Sequence, residues 1–93
     1  MTKVKVLVFV SLRDKVGWSQ KEVMVDGDKI RDLLKSIKSV DGRSLYEIVT
    51  ENGKLRPNFL ILLNGREISF LNGLNTKIKD GDTISIFPPA GGG

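Results

Sequence analysis

The sequence predicts an α+β fold, a mixed sheet of four to five strands packed on one main helix. Three observations carry this expectation. Val4, Val6, Val8 and Val10 alternate with Lys3, Lys5, Leu7 and Phe9, a β-branched pattern of period two that marks a strand. Ile30, Leu33, Leu34 and Ile37 recur at i, i+3, i+4 and i+7, which puts them on one stripe of an amphipathic helix. The second half of the chain breaks into short apolar runs separated by Asn-Gly and Asp-Gly dipeptides, the punctuation of further strands.

The first strand is expected to begin at Lys3 and to run through Val10. Residues 14–17 supply turn residues and residues 21–25 read as a second strand, so the first two elements form a hairpin. Asp26-Gly27-Asp28 ends that strand, and Asp28 has the chemistry of an N-cap for the helix that follows. Val40 is available to extend the helical stripe, and Gly42 closes the element. Ser44 and Glu47 have capping-box spacing ahead of Ile48 and Val49, which predicts a short second helix ending near Asn52-Gly53. Pro57 prevents further helix. The nearly continuous apolar run of residues 58–63 is short and flanked by turns, so it reads as a buried strand. Asn64-Gly65 is a hairpin turn, with a short returning strand over 67–69. Residues 71–78 are irregular around Asn72-Gly73, and Asp80-Gly81-Asp82 turns into a last strand over 83–87.

The order is strand, strand, helix, short helix, strand, short strand, strand. Ubiquitin-like β-grasp domains share it, with the first and last strands parallel at the sheet centre and the helix as the crossover that parallel neighbours require. By that analogy residues 1–87 form the β-grasp domain and residues 88–93 a flexible functional tail.

Composition excludes more than it suggests. Ninety-three residues make one domain, large enough for a core and too small for a deep enclosed active site. The chain has no histidine and no cysteine, which removes disulfides, thiolate nucleophiles, imidazole catalysis and the usual zinc sites together. Its acidic residues lack the spacing of a magnesium or calcium site, so no metal is expected. With no nucleophile–base pair or phosphate loop, the chain does not read as an enzyme. The N-terminus lacks the apolar run of a signal peptide and no stretch has membrane-span length, so no membrane partner is expected and the cytoplasm is the default location. The net charge is +4, but the fifteen basic residues are scattered among acidic ones. The short stretches at 35–38 and 77–79 carry no stacking aromatics, which argues against nucleic acid. A solvated, mildly basic surface accounts for the charge, as does weak attraction to acidic partners.

The C-terminus reads Pro88-Pro89-Ala90-Gly91-Gly92-Gly93. Two prolines end the strand ladder and stiffen the exit, and nothing after them exceeds a methyl side chain. Four residues extend at most about 14 Å beyond the second proline, a thin tail suited to a narrow channel in another protein. Its terminal group is a carboxylate, with a pKa of about 3.3–3.7, and a poor electrophile. Reaction requires activation by a partner, as in an acyl-adenylate formed from ATP, after which a sulfur donor can convert it to a thiocarboxylate. Terminal glycines also read as a disordered end, but here they follow a turn, an alternating strand and a double proline.

Residues 80–93 closely resemble the ending of the MoaD/ThiS family of sulfur carriers: an Asp-Gly-Asp turn, a strand, two prolines, two variable residues (here Ala90 and Gly91) and a final Gly-Gly. The resemblance extends over nearly the whole chain. Residues 6–13 look like the family's first strand and following arginine, and Asn64-Gly65 matches its central turn. The length and second helix are more similar to MoaD than to ThiS, and residues 64–89 also resemble archaeal members, including small archaeal modifier proteins. The resemblance implies a carrier with no permanently bound cofactor. An E1-like adenylating enzyme activates Gly93 with ATP, a sulfur donor enzyme installs the thiocarboxylate, and an acceptor uses it. In the MoaD branch the acceptor is the molybdopterin synthase large subunit. Other relatives serve tRNA thiolation or form isopeptide bonds to protein lysines.

Strand parity adds an expectation about docking. Ile84 and Ile86 share one face of the last strand and Thr83, Ser85 and Phe87 the other, as the four valines oppose Lys3, Lys5, Leu7 and Phe9. Parallel first and last strands would bring Phe9 and Phe87 together at the tail end, as a partner site or as a minor packing contact. The resemblance favours docking by Phe9 and Phe87; Leu7 shares their face, and Arg13 and Lys77 are candidates for a charged rim. Glu67 lies where the resemblance leads one to expect a more apolar contact.

Overall fold

The valine alternation sorts the first strand into an inside and an outside. Val4, Val6 and Val8 are buried to 1% exposure or less, whereas Lys3 and Lys5 face solvent. This strand, β1 (Thr2–Val8), opens a computed structural model that describes residues 1–89. There follow α1 (Ser11–Val16), β2 (Gln20–Val25), α2 (Ile30–Ser36), α3 (Leu45–Val49), the ribbon β3 (Thr50–Glu51) and β4 (Lys54–Leu55), then β5 (Leu60–Leu63) and β6 (Arg66–Glu67). Two 3₁₀ turns, Ile68–Phe70 and Gly73–Asn75, lead to β7 (Thr83–Phe87).

The main sheet has five strands in the order β2-β1-β7-β5-β6. β1 and β7 are parallel, with Val6 opposite Ile84 and Val8 opposite Ile86, and the other pairs are antiparallel. This is the mixed β-grasp sheet on one main helix that the sequence predicts. Against its inner face lie Ile30, Leu33 and Leu34 of α2, fully buried, together with Leu45 and Val49 of α3. Each such side chain taken out of water contributes roughly 1.5–3 kcal/mol.

Several boundaries differ from the sequence reading, each for a local reason. β1 and β2 pair as expected, but α1 replaces the tight turn between them. Leu12 and Val16 sit one helical turn apart and both are buried, and Gly17 ends the helix at φ 84°, donating its N–H to the Arg13 carbonyl at 2.8 Å. Val10 lies outside the strand, at the N-cap position. The residue capping α2 is Lys29 rather than Asp28, because Asp32 reaches back to accept from the backbone N–H of both residues at 3.2 Å. That return explains Gly27, at φ 144°: a Cβ there would overlap the Asp32 carboxylate. Helix α2 stops at Ser36, and Val40 is 76% exposed instead of extending the stripe.

Ser44 caps α3 as expected, accepting from the Glu47 N–H at 3.2 Å, but α3 ends at Val49. Asn52-Gly53 is the turn of the β3–β4 ribbon, with both residues at positive φ, the conformation of a type I′ turn. Asn64-Gly65 repeats that geometry between β5 and β6. The returning strand is Arg66–Glu67 rather than 67–69, because the Glu67 carboxylate accepts from the Ser69 N–H and starts a 3₁₀ turn. In the run over 58–63 only Ile61 is fully buried, and Leu60 is exposed.

Among the described residues, Val10 is the one strained aliphatic residue. It occupies φ 54°, ψ −129° in a turn closed by the Leu12 N–H on the Phe9 carbonyl at 3.2 Å, close to the glycine-favouring first position of a type II′ turn. A β-branched side chain is disfavoured there, and this one is 62% exposed and packs little. Val10→Gly is therefore expected to stabilise the chain by about 1 kcal/mol, raising the melting temperature by about 4–8 °C. A thermal scan showing no gain would contradict the strain.

Candidate functional site

The last turn of the β1–β7 ladder builds the site. Past the Val8–Ile86 pair, the Phe9 N–H still donates to the Ile86 carbonyl at 3.1 Å, so the chain stays on the ladder for one more residue. Phe9 is thereby set beside Phe87, on the face opposite the valines. The two rings stack with centroids 4.2 Å apart and planes 8° from parallel. This is the proximity that strand parity predicts.

Neighbouring strands enlarge the pair into a patch. Leu7, Ser85 and Leu62 lie in one row across β1, β7 and β5, and Leu60 stands opposite Phe87 in the next. Leu7, Phe9, Leu62 and Phe87 are half-buried and Leu60 is 37% exposed, with small Ser85 between them. Leu60 and Leu62 are not foreseen as outer-face residues, because a short, nearly continuous apolar run reads as a buried strand. The Asn64-Gly65 turn, by fixing the register, was the signal that could have placed them. At the other end of β1 and β7 the same face carries Lys5 beside Thr83, so the apolar area is confined to the end where β7 leads into Pro88.

Glu67 bounds the patch on β6, opposite Leu62. The hydroxyl and then the backbone N–H of Ser69, at 2.6 and 2.8 Å, hold its carboxyl below the usual carboxylate range. Glu67 is therefore ionised at neutral pH, a fixed negative border where an apolar neighbour was expected. Arg13 is exposed on α1, four residues from Phe9. Lys77 does not join it: it is bridged to Lys29 at the start of α2, by the turn that leads into β7, at the end remote from the stack. Pro88 and Pro89 continue from Phe87 and are half-buried. Ala90, Gly91, Gly92 and Gly93 lie outside the described residues.

The described residues contain no group of three or more acidic, histidine or cysteine side chains that could hold a metal ion. No helix among them is long and apolar enough to cross a membrane. What the site offers is a surface next to a chain exit.

A sequence model of the ThiS family matches residues 6–93, from the first strand through the final glycine. The chain belongs to the ThiS family. It is a ubiquitin-like sulfur carrier of the ThiS/MoaD kind, a carrier and not a catalyst. Small archaeal modifier protein 3 of Haloferax volcanii is 38% identical over 87 residues, covering 91% of this chain and 92% of that protein. The molybdopterin synthase sulfur carrier subunit of Escherichia coli is 32% identical over 90 residues, covering 97% and 99%. In structure the chain is similar to small archaeal modifier protein 1 from Methanosarcina acetivorans, with a TM-score of 0.80 at 35% identity, over 100% of this chain and 98% of that one.

The Phe9–Phe87 contact is testable in the isolated carrier. Stacked aromatic pairs contribute about 0.5–1.5 kcal/mol beyond their buried area. A double-mutant cycle of Phe9→Ala and Phe87→Ala, followed by urea denaturation, should return a coupling energy in that range. Strict additivity would mean that the rings do not support each other.

Proposed function

We propose that this carrier delivers sulfur on the carboxyl group of Gly93 and serves as the small subunit of a molybdopterin synthase. The observation that carries the reading is the stacked Phe9–Phe87 pair, set where the chain turns into Pro88-Pro89. A partner that seats on this patch has the tail root beside it, so one contact both selects the carrier and aims the terminus. On this reading Leu7, Phe9 and Phe87 dock, Leu60 and Leu62 widen the contact, and Arg13 adds charge at its edge. Residues 88–93 then act as the thin arm that enters the partner's channel.

The chemistry belongs to the partners. In an E1-like adenylating enzyme a Gly93 carboxylate oxygen attacks the α-phosphorus of ATP, pyrophosphate leaves, and an acyl-adenylate results. A hydrosulfide equivalent from a sulfur donor enzyme then attacks the carbonyl carbon and AMP leaves, giving the thiocarboxylate. The chain itself binds no cofactor. With no cysteine in the sequence, the terminal carboxyl is the one place for such sulfur. All of these steps belong in the cytoplasm.

A second reading draws on the 38% identity to an archaeal protein named as a modifier. There the same activated glycine would be passed to a lysine amine, or its sulfur to a tRNA. The two readings share every step through activation and part at the acceptor.

Incubation with the adenylating enzyme, ATP and a sulfur donor is expected to replace one oxygen by one sulfur, with fragmentation placing the change on Gly93. Intact mass spectrometry reads this directly, and a chain lacking Gly93 should stay unmodified. Adding the synthase large subunit and precursor pterin should then yield molybdopterin. If the activated chain forms only isopeptide bonds to lysines, the modifier reading replaces the synthase one. If the cognate enzyme never activates Gly93, the carrier chemistry on this residue fails.

A further inference from the structure

Away from the outer face of the sheet, a cavity of about 280 Å³ opens where the start of α2, the tip of the β3–β4 ribbon and the two 3₁₀ turns meet. Its floor is apolar. Ile68 and Leu74 belong to the core, and Leu55, partly buried, packs against that core. Its walls are cationic: Arg31 and Lys54 line it, and no carboxylate among the described residues does.

Arg31 gives the cavity its direction. Its Nε is buried without any hydrogen-bond acceptor among the described residues, and its guanidinium takes part in no ion pair there. A guanidinium is always charged and only donates, so a buried unmet N–H on it calls for an acceptor, best an anion. Next in sequence to Ser69, which lines the cavity, Phe70 at the end of the first 3₁₀ turn is 86% exposed. An aromatic ring that open contributes little to folding and stands ready as an anchor.

We propose that this cavity is a second docking site, taken by a segment of a partner protein in which an aliphatic residue adjoins an aspartate or glutamate. The aliphatic side chain enters over Leu55, Ile68 and Leu74, the carboxylate pairs with Arg31 and is attracted by Lys54, and Phe70 covers the segment from the rim. Charge complementarity selects the acidic residue and the floor selects the aliphatic one. No residue of the Phe9–Phe87 patch lines the cavity. A segment held here therefore leaves that patch uncovered, so a carrier can stay bound to one protein while another docks on the patch. The site does not depend on the chemistry proposed for Gly93.

The probe is acetyl-Glu-Leu-Glu-Leu-amide, titrated into the ¹⁵N-labelled full chain and followed by NMR. Saturable shifts are expected at residues 54–55 and 68–75 and at the Arg31 Nε–Hε resonance, with a dissociation constant in roughly the millimolar range. Arg31→Gln and Lys54→Glu should each weaken binding roughly tenfold, and a chain lacking residues 90–93 should bind as well as the full one. If Arg31→Gln does not fold, Lys54→Glu on the exposed ribbon tip decides alone. Shifts confined to the outer sheet face, or affinity indifferent to the substitutions that fold, would overturn the proposal. So would sodium acetate reproducing the same shifts with equal affinity, which would make the cavity a site for a free anion.

Discussion

The parallel pairing of β1 with β7 is the constraint on which everything else in this chain depends. It joins segments separated by most of the sequence, from Lys5 opposite Thr83 to Val8 opposite Ile86. The ladder is extended at both ends, by the Lys5 N–H on the Asp82 carbonyl at 2.9 Å and the Phe9 N–H on the Ile86 carbonyl at 3.1 Å. Because side chains alternate across a strand, this one pairing makes two surfaces at once. Inward it lines up valines and isoleucines against α2 to form the core. Outward it stacks Phe9 on Phe87 immediately before the prolines. Core and aromatic patch are two sides of the same hydrogen-bonded ladder.

A slip of one residue in any of these strands would turn the patch inward and the core outward. The turns guard against it. Asp82 is 5% exposed, and its carboxylate accepts from the Lys79 N–H and from the Asn64 side-chain amide, both at 2.9 Å. Asn64 completes the link by accepting from the Thr83 N–H at 2.9 Å. The Asn-Gly turn and the Asp-Gly-Asp turn, distant in sequence, are thus wired together, and the register of β5 on β7 follows. That register puts Leu60 beside Phe87 and Leu62 beside Ser85. At the far end Asp80 ties down the Lys3 N–H at 2.8 Å, so the start of β1 is held as firmly as its end.

Legibility in the sequence followed the strength of the periodic signal. The valine and isoleucine alternations and the Ile30–Ile37 stripe were plain, because burial on one face leaves a repeat that local chemistry does not disturb. Parity, joined to the parallel first and last strands of the β-grasp analogy, places Phe9 near Phe87. Less visible were features decided by single hydrogen bonds. Asp32 capping from inside α2 moved its start, and Glu67 holding Ser69 turned a strand into a 3₁₀ turn. Helix α1 was masked by turn-forming residues, although Leu12, Val16 and Gly17 together spelled a short capped helix. Asn52-Gly53 reads as a helix end because its ribbon is only two residues long on each side. In the sequence Arg31 is simply one of fifteen scattered basic residues. Its buried Nε emerges only once α2, the ribbon and the 3₁₀ turns are brought together.

What distinguishes the chain as a carrier, then, is where the patch lies and not how large it is. On the proposed reading, a single aromatic pair at the root of the tail couples recognition of the fold to delivery of the terminus. The most direct test is calorimetric titration of the adenylating enzyme with the native chain and with Phe87→Asp. If the stack is the docking anchor, a carboxylate forced into that contact should weaken binding by about 100-fold or more, while the variant still unfolds cooperatively. Unchanged affinity in a folded Phe87→Asp chain would show that partners reach the tail without reading this face.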